Sequence, residues 1–271
     1  MSEWSELEAE LEVWRLRGRR ATFWWRDDDA VEPTPALERL LELAGRHGVP
    51  LMLAVIPAGA TRALARRIAE AGDGVVPVQH GFAHRNHAPS DARKWELGTH
   101  RPGDEVLAEL ARGRARMDAL FGEDWLPVMV PPWNRIAPEV TARLGAHGYV
   151  GLSTIAPRAA TEASPGVLQV NAHLDIMRWD APRGFLGTAP ALRQLIAHLR
   201  DRRTGAADPV ADPGEPSGVL THHLAHDAEG WAFLDRLLGI LAAHPAAAFA
   251  HPRGIFEAGP KISGTGARGA A

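Results

Sequence analysis

The segment that decides the fold is ATFWWRDDDAVEPTPALERLLELAGRHGVPLMLAVI, which covers residues 21–56. Apolar runs at residues 21–25 and 51–56 have the length and composition of buried strands. Between them, leucines recur at helical spacing over residues 35–47. A strand, a helix and a second strand in this order predict a βαβ unit with parallel strands.

The same alternation continues along the rest of the chain. Further helices are predicted at residues 61–71, 103–121, 138–147, 189–203 and 229–243. Further strands are predicted at residues 75–79, 126–130, 149–153, 167–171, 218–222 and 246–250. Seven or eight parallel strands indicate an α/β fold, either a closed barrel or a large open sheet.

The 271 residues suit one domain with a large core. Residues 1–20 are expected to form an N-terminal helix, because Trp4, Leu7, Leu11 and Trp14 follow helical spacing. Residues 21–257 are expected to form the main α/β domain. Residues 258–271, rich in Gly and Ala, are expected to be a mobile tail.

The composition excludes several classes of function. A formal charge of −3 gives no bulk attraction for nucleic acid or anionic membrane, so neither partner is expected. The chain has no cysteine, which leaves His and carboxylates as the plausible metal ligands. The acidic N-terminus lacks the features of a secretory signal, and a cytoplasmic location is expected. The sequence indicates no oligomeric state.

Residues capable of chemistry follow the predicted strands at their carboxyl ends. They are Asp27–Asp29, His80 and His84, the segment 131–135, His173 and Asp175, and residues 221–223. In parallel β/α folds these ends converge on one mouth, where active sites usually lie.

Two clusters are the strongest candidates for a metal site. Three adjacent carboxylates cannot all be buried and charged without a cation, although a solvated acidic turn or a helix cap would also explain them. His80 and His84 have the i, i+4 spacing that places two imidazoles on one face of a helical turn, or they are two ordinary histidines. One carboxylate and two imidazoles together would leave an open position, as in catalytic zinc sites.

In this order the residues resemble the polysaccharide deacetylase family, the NodB-homology, family 4 carbohydrate esterases. The family pattern T-F-D-D-G corresponds to residues 26–30, which implies that Asp28 is the catalytic base and Asp29 a metal ligand. The pattern H-(S/T)-x-x-H corresponds to residues 80–84, which implies that His80 and His84 bind the metal. The pattern L-x-H corresponds to residues 220–222, which implies that His222 is the general acid.

The other two motifs depart from the family. R-x-P-x-G corresponds to residues 130–134, where Pro132, Trp133 and Asn134 would form the oxyanion and substrate wall without the Arg or the Gly. D-x-x-D-W corresponds to residues 175–179, with Arg178 in place of the second Asp and Trp179 as a further wall. Arg135 or Arg178 is expected to replace the missing Arg; Asp175, Asp180 or Asp227 is expected to orient His222. A register with Asp27 as the base stays open.

The resemblance implies a single-domain, distorted (β/α)7-type barrel. It also implies a hydrolase that removes an acyl group, N-acetyl in the first instance, from a carbohydrate-like or small amide substrate. The expected cofactor is a divalent metal, Zn²⁺ first, with Co²⁺, Ni²⁺ or Fe²⁺ as alternatives. Two other functions stay open: a cytosolic hydrolase of small or cyclic amides, similar to allantoinases, and a sugar-binding relative without catalysis.

Overall fold

The computed structural model of the protein describes residues 2–205 and 212–257. Its helices are α1 (Glu3–Leu16), α2 (Pro35–His47), α3 (Arg62–Ala71), α4 (Gly103–Phe121), α5 (Pro138–Thr141), α6 (Thr188–Thr204), α7 (Ala228–Ala243) and α8 (Pro252–Phe256). The first six strands are β1 (Ala21–Ala30), β2 (Leu51–Val55), β3 (Val75–His80), β4 (Val128–Val130), β5 (Gly151–Leu152) and β6 (Glu162–Ser164). The others are β7 (Val167–Gln169), β8 (Ala172–Asp175), β9 (Met177–Arg178), β10 (Gly184–Phe185), β11 (Ser217–Thr221) and β12 (Ala247–Phe249).

The main sheet has the order β6-β7-β5-β4-β3-β2-β1-β11-β8, and β12 pairs with β1. All pairs are parallel except β6 with β7. Only Val170 and Asn171 separate β7, which pairs with β5, from β8, which pairs with β11. Ala172 N donates to Thr154 O at 3.0 Å across this gap. The chain therefore links the two sides of the sheet, and the expectation of a distorted (β/α)7-type barrel in an α/β domain is confirmed.

Side chains of the sheet separate into an inner and an outer layer. Alternate residues of β1 to β4, among them Trp24, Met52, Val78 and Val130, form one apolar cluster. Their neighbours pack against the helices in larger clusters. Helix α1 also packs there, because its Trp4, Leu7, Leu11 and Trp14 side chains are buried. This two-sided burial explains the continuous apolar runs.

The structure differs from the sequence predictions in a few elements. The helix predicted at residues 138–147 ends after Thr141 and resumes only as a 3₁₀ turn at Gly145–His147. The strand predicted at residues 167–171 ends at Gln169 as β7, and β8 (Ala172–Asp175) follows as a separate strand that was not predicted. The short pair β9–β10 and the strand β6 were not predicted. The expected tail, residues 258–271, lies outside the described residues. No helix among the described residues is both long enough and apolar enough to span a membrane.

A buried polar cluster supports the sheet away from its mouth. The His198 ring stacks on the His173 ring at 3.7 Å, and His198 Nδ1 lies 3.0 Å from Ser217 Oγ. Arg202 donates to the same hydroxyl oxygen at 2.9 Å, which leaves the Ser217 hydroxyl hydrogen for His198 Nδ1. Burial, with His173 and Arg202 nearby, lowers the pKa of His198 to about 2.

We expect His198 to make stability depend on pH. Its pKa is lower in the folded state than in the unfolded state, where it is about 6.5. Below that value the unfolded state binds more protons, so the free energy of unfolding falls as pH falls, by up to about 1 kcal/mol per pH unit. The free energy of unfolding, measured with urea between about pH 5 and 7, should depend less steeply on pH in His198→Gln than in wild type. His100 is exposed, so the control His100→Gln should keep the wild-type pH dependence. The same pH dependence in wild type, His198→Gln and His100→Gln would contradict this account.

Candidate active site

Strand β1 sends alternate residues of its acidic end to opposite faces of the sheet. Arg26 and Asp28 face the inside of the barrel, above the inner residue Trp24, and are almost fully buried. Asp27 faces the outer layer, where its carboxylate accepts hydrogen bonds from Thr221 Oγ1 at 2.7 Å and from His223 N at 3.0 Å. The outward turn and these bonds place Asp27 away from the mouth.

Asp27 and His223 form a buried pair that ties β1 to the segment after β11. His223 Nδ1 lies 2.5 Å from Asp27 Oδ1, and both side chains are almost fully buried. Burial alone would raise the pKa of Asp27, but the charge and hydrogen bond of His223 outweigh it and lower the pKa. Because this carboxylate is fully engaged by the fold, the structure contradicts the register in which Asp27 is the base.

Asp29 departs from the strand alternation. A regular strand would point it outward with Asp27, but the β1–β2 register shifts between Asp27 and Ala30 and Asp29 has a left-handed φ of 77°. As a result the Asp29 carboxylate reaches the mouth, beside the end of β3.

The structure brings Asp29, His80 and His84 together. Asp29 Oδ1 lies 3.2 Å from His80 Nε2 and 3.3 Å from His84 Nε2. Two ligand atoms that bind one zinc ion at about 2.1 Å lie roughly 3.3 Å apart in a tetrahedral site. Within the described part of the chain, this is the one group of at least three His, Asp or Glu side chains close enough to hold a metal ion.

The hydrogen-bonding state of these residues also fits a cation. His80 Nδ1 lies 2.9 Å from Val130 O, and a carbonyl can only accept, so Nδ1 carries the hydrogen. In the neutral ring the Nε2 lone pair then faces Asp29 Oδ1, which is buried and accepts no hydrogen bond. Two lone pairs at this distance need either a proton or a metal cation between them, and a contact like the one with Val130 O orients metal-binding histidines in known sites.

The electrostatics lead to the same conclusion. Burial favours the neutral form of Asp29, but the imidazoles of His80 and His84 outweigh it and hold the pKa of Asp29 well below its usual range. Burial also lowers the pKa of His80, yet the carboxylates of Asp28 and Asp29 outweigh it and raise the pKa. A metal would displace the proton that this site otherwise attracts, so its binding should weaken at low pH.

The loop between the two histidines is not the helical turn predicted from their spacing. Residues 81–84 form no helix, and Gly81 and His84 have φ values of 55° and 54°. The buried Glu96 carboxylate accepts hydrogen bonds from the N–H groups of Phe82 at 3.3 Å and Ala83 at 2.8 Å. A side chain at position 81 would lie 2.6 Å from Pro132 Cδ, so only glycine fits. Glu96 was not predicted from the sequence, because it comes from far along the loop.

Arg26 is the cation that holds Asp28. Its Nε lies 2.9 Å from Asp28 Oδ1, and its Nη2 donates to Asp28 Oδ2 at 3.1 Å. It also donates to Asn134 Oδ1 at 2.6 Å and to Ser153 Oγ at 2.8 Å. This fully buried guanidinium occupies the place that the resemblance assigns to the missing Arg of the third motif.

The expectation that Arg135 or Arg178 supplies this charge is therefore wrong. Arg135 donates to the carbonyl oxygen of Lys94, and the exposed Arg178 donates to that of Pro182. Neither guanidinium forms an ion pair with Asp28 among the described residues.

His222 lies opposite Arg26, between two carboxylates. Its Nε2 is 3.9 Å from Asp28 Oδ2, and its Nδ1 is 4.0 Å from Asp175 Oδ1. Burial raises the pKa of Asp175, and Asp175 Oδ2 accepts a 2.7 Å hydrogen bond from Trp179 Nε1. The Trp179 ring contacts the His222 ring edge-on at 4.6 Å between centroids. Asp175 is thus the carboxylate nearest to His222 Nδ1.

The other candidates for orienting His222 are engaged elsewhere. Asp227 caps helix α7 and accepts a hydrogen bond from Phe185 N at 2.9 Å. Asp180 is exposed and forms no ion pair among the described residues. Of the three carboxylates considered from the sequence, the geometry leaves Asp175 in position.

The segment after β4 forms the wall next to His84. The Trp133 ring lies 4.4 Å from the His84 ring, and the buried Pro132 packs against Gly81. Trp133 and Asn134 both have a φ of 56°. Among the described residues, four of the five non-glycine residues with positive φ lie at this mouth, namely Asp29, His84, Trp133 and Asn134. Such strain costs about 1–3 kcal/mol per residue and concentrates at functional sites.

Comparisons with solved structures place this fold among known ones. A candidate polysaccharide deacetylase from Mycobacterium smegmatis superposes with a TM-score of 0.62 at 17% identity, covering 89% of this chain and 90% of that one. A family 4 carbohydrate esterase from Streptomyces lividans, solved with acetate, gives 0.52 at 15% identity, covering 82% and 88%. The fold is that of the polysaccharide deacetylases. No protein-family model and no curated protein matches the sequence.

The fold does not by itself distinguish active from inactive members. A family 4 pseudoenzyme from Bacillus anthracis gives a TM-score of 0.56 at 13% identity, covering 88% of this chain and 66% of that one. Identities this low show the shared fold alone. Function has to be argued from the side chains at the mouth.

Proposed function

We propose that this chain is a metal-dependent hydrolase that removes an acyl group, N-acetyl in the first instance, from a carbohydrate-like or small amide substrate. The observation that carries the proposal is the single cluster of Asp29, His80 and His84 beside an Arg26-bound carboxylate and a mouth histidine. The acetate bound to the Streptomyces lividans esterase supports an acyl product.

The three cluster residues would hold a divalent metal, Zn²⁺ first, which supplies a Lewis acid that polarises a carbonyl and acidifies water. Asp28 acts as the general base, because it lies at the mouth beside the cluster and Arg26 fixes its orientation. His222 protonates the leaving nitrogen from the other side, with Asp175 Oδ1 4.0 Å from its Nδ1. The N–H group of Trp133 stabilises the developing oxyanion.

Two aromatic side chains support a small acyl group and a sugar-like leaving group. Trp133 contacts His84, and Trp179 contacts His222, so the rings lie on the metal side and the acid side of the mouth. Trp179 is 43% exposed, with the Arg183 guanidinium 5.9 Å from its ring centroid, so its exposed part can contact a sugar ring.

The proposal is tested by acetate release from N-acetylated chitin oligosaccharides. We expect release with Zn²⁺ or Co²⁺ and its suppression by a chelator. Asp28→Asn and His222→Gln should each lower kcat by about 10²–10⁴-fold while metal content stays unchanged. The exposed mouth variant Asp180→Asn serves as the control with wild-type turnover. Wild-type turnover in Asp28→Asn would remove Asp28 from the mechanism.

The same assay separates the two rival functions. Hydrolysis of cyclic ureides such as allantoin without release of acetate from sugars would assign the site to small cyclic amides. Saturable binding of chitin oligosaccharides without turnover in any of the four metals would identify a binding protein with the deacetylase fold.

A further inference from the structure

A pocket of about 720 Å³, here called the side pocket, opens next to the mouth. Segments 134–142 and 152–169, with Trp95, surround it. Its lining includes Trp95, Asn134, Arg135, Thr154 and Ser164. The volume suffices for a group of monosaccharide size.

The side pocket is connected to the proposed base through Arg26. Asn134 lines the pocket, and its Oδ1 accepts a hydrogen bond from Arg26 Nη2 at 2.6 Å. Thr154 also lines it, and its carbonyl oxygen accepts from Arg26 Nη1 at 3.2 Å. The same guanidinium holds Asp28, so the side pocket and the proposed base are neighbours of one buried side chain.

The charged groups of the side pocket have one sign. Arg135 is its one charged lining residue, and no Asp or Glu lines it. Arg135 is partly buried and donates to Lys94 O at 2.8 Å; it pairs with no carboxylate among residues 2–205 and 212–257. The ammonium of Lys94 lies nearby, over the Trp133 ring at 5.9 Å. A guanidinium without a counterion in a recess favours an anionic ligand.

Two further lining residues carry buried polar atoms without partners. Ser164 Oγ and Trp95 Nε1 are both buried and form no hydrogen bond in the described structure. Both can donate, and buried donors of this kind usually have an acceptor. With Arg135, they give the lining three groups that can donate to an anion.

We propose that the side pocket binds an anionic group of the substrate, a carboxylate or a phosphate, with Arg135 as its anchor. This inference rests on the proposed function, since it assigns the part of the substrate that is not cleaved. It narrows the substrate class to acylated compounds that also carry a negative charge.

The test uses fluorine NMR of the full-length protein labelled with 5-fluorotryptophan, with the Trp95 resonance identified from Trp95→Phe. The probes are acetate, inorganic phosphate and, as the neutral analogue of acetate, acetamide. Each is titrated to about 100 mM, a hundredfold above a ~1 mM Kd. Titrations are made on the protein as isolated and after metal removal, because binding in the side pocket requires no metal.

We expect acetate, phosphate or both to shift the Trp95 resonance saturably, with and without metal, and acetamide to leave it in place. Which anion binds more tightly tells a carboxylate site from a phosphate site. Arg135→Gln should raise the half-saturating concentration by about tenfold or more, whereas Arg15→Gln, an exposed charge change on α1, should not.

The proposal is overturned by an equal shift from acetamide, by no saturable shift from either anion, or by unchanged binding in Arg135→Gln. Its failure is distinguishable from failure of the proposed function, because the resonance reports binding whether or not the protein hydrolyses acetylated sugars.

Discussion

Arg26→Gln is expected to destabilise the protein by about 3–5 kcal/mol, because it leaves the Asp28 carboxylate buried without its counterion. The side chains of Arg26 and Asp28 are 0% and 3% exposed, so water cannot replace the lost guanidinium. The same change removes hydrogen bonds to Asn134 and Ser153. Urea unfolding of the metal-free protein measures the loss.

A double-mutant cycle separates this ion pair from simple packing. Arg26→Gln combined with Asp28→Asn removes both charges, so it should be more stable than Arg26→Gln alone by at least about 1 kcal/mol. If the loss of unfolding free energy in the double variant equals the sum of the losses in the two single variants, the two residues do not interact and the assigned role of Arg26 is wrong. Activity should be lost in all three variants, since each removes the base or its orientation.

His84→Ala is expected to lower kcat/KM by at least about 10³-fold, since metal catalysis contributes several kcal/mol to transition-state stabilisation. His84 Nε2 points at Asp29 Oδ1, and two ligands alone hold a metal weakly. The side chain is partly exposed, so its loss should leave folding intact.

His87→Ala is the matched control, because it removes an imidazole from the same loop but outside the cluster. It should keep turnover within about twofold of wild type. A comparable loss in both variants would indicate that the loop, and not the ligand, matters. Circular dichroism of each variant shows whether the fold is retained.

The fold was predictable because apolar runs and leucine spacing record burial directly. Helix α2 begins and ends where its leucine pattern, Pro35 and Gly48 predicted, with Gly48 in the left-handed conformation as its C-cap. The strands β7 and β8 were harder to predict, because they are separated by only Val170 and Asn171 and yet pair with different strands, β5 and β11. Local pattern does not record such long-range pairing.

The approach of Asp29 to His80 and His84 was also predictable, since strand ends converge in parallel β/α folds. The conformation of the His80–His84 loop was not, because it depends on Gly81 at a positive φ and on the distant Glu96. The i, i+4 spacing alone favoured a helical turn, but the hydrogen bonds to the Glu96 carboxylate hold the loop in a different conformation.

Arg26 was missed although the sequence contained a signal for it. In a strand, residues two apart share a face, so the inward Asp28 implies an inward Arg26 and an outward Asp27. The replacement Arg was predicted in the third and fourth motifs, where the family places its partners. Space inside a barrel, however, can be filled from any strand, and here β1 supplies both the carboxylate and its cation.

The measurement that tests the central claim most directly is the metal content of three variants, Asp29→Ala, His84→Ala and Asp28→Asn, after dialysis against Zn²⁺. The account predicts about one equivalent per chain in wild type and Asp28→Asn, and less than about a tenth of an equivalent in Asp29→Ala and His84→Ala. Stoichiometric metal in both Asp29→Ala and His84→Ala would contradict it.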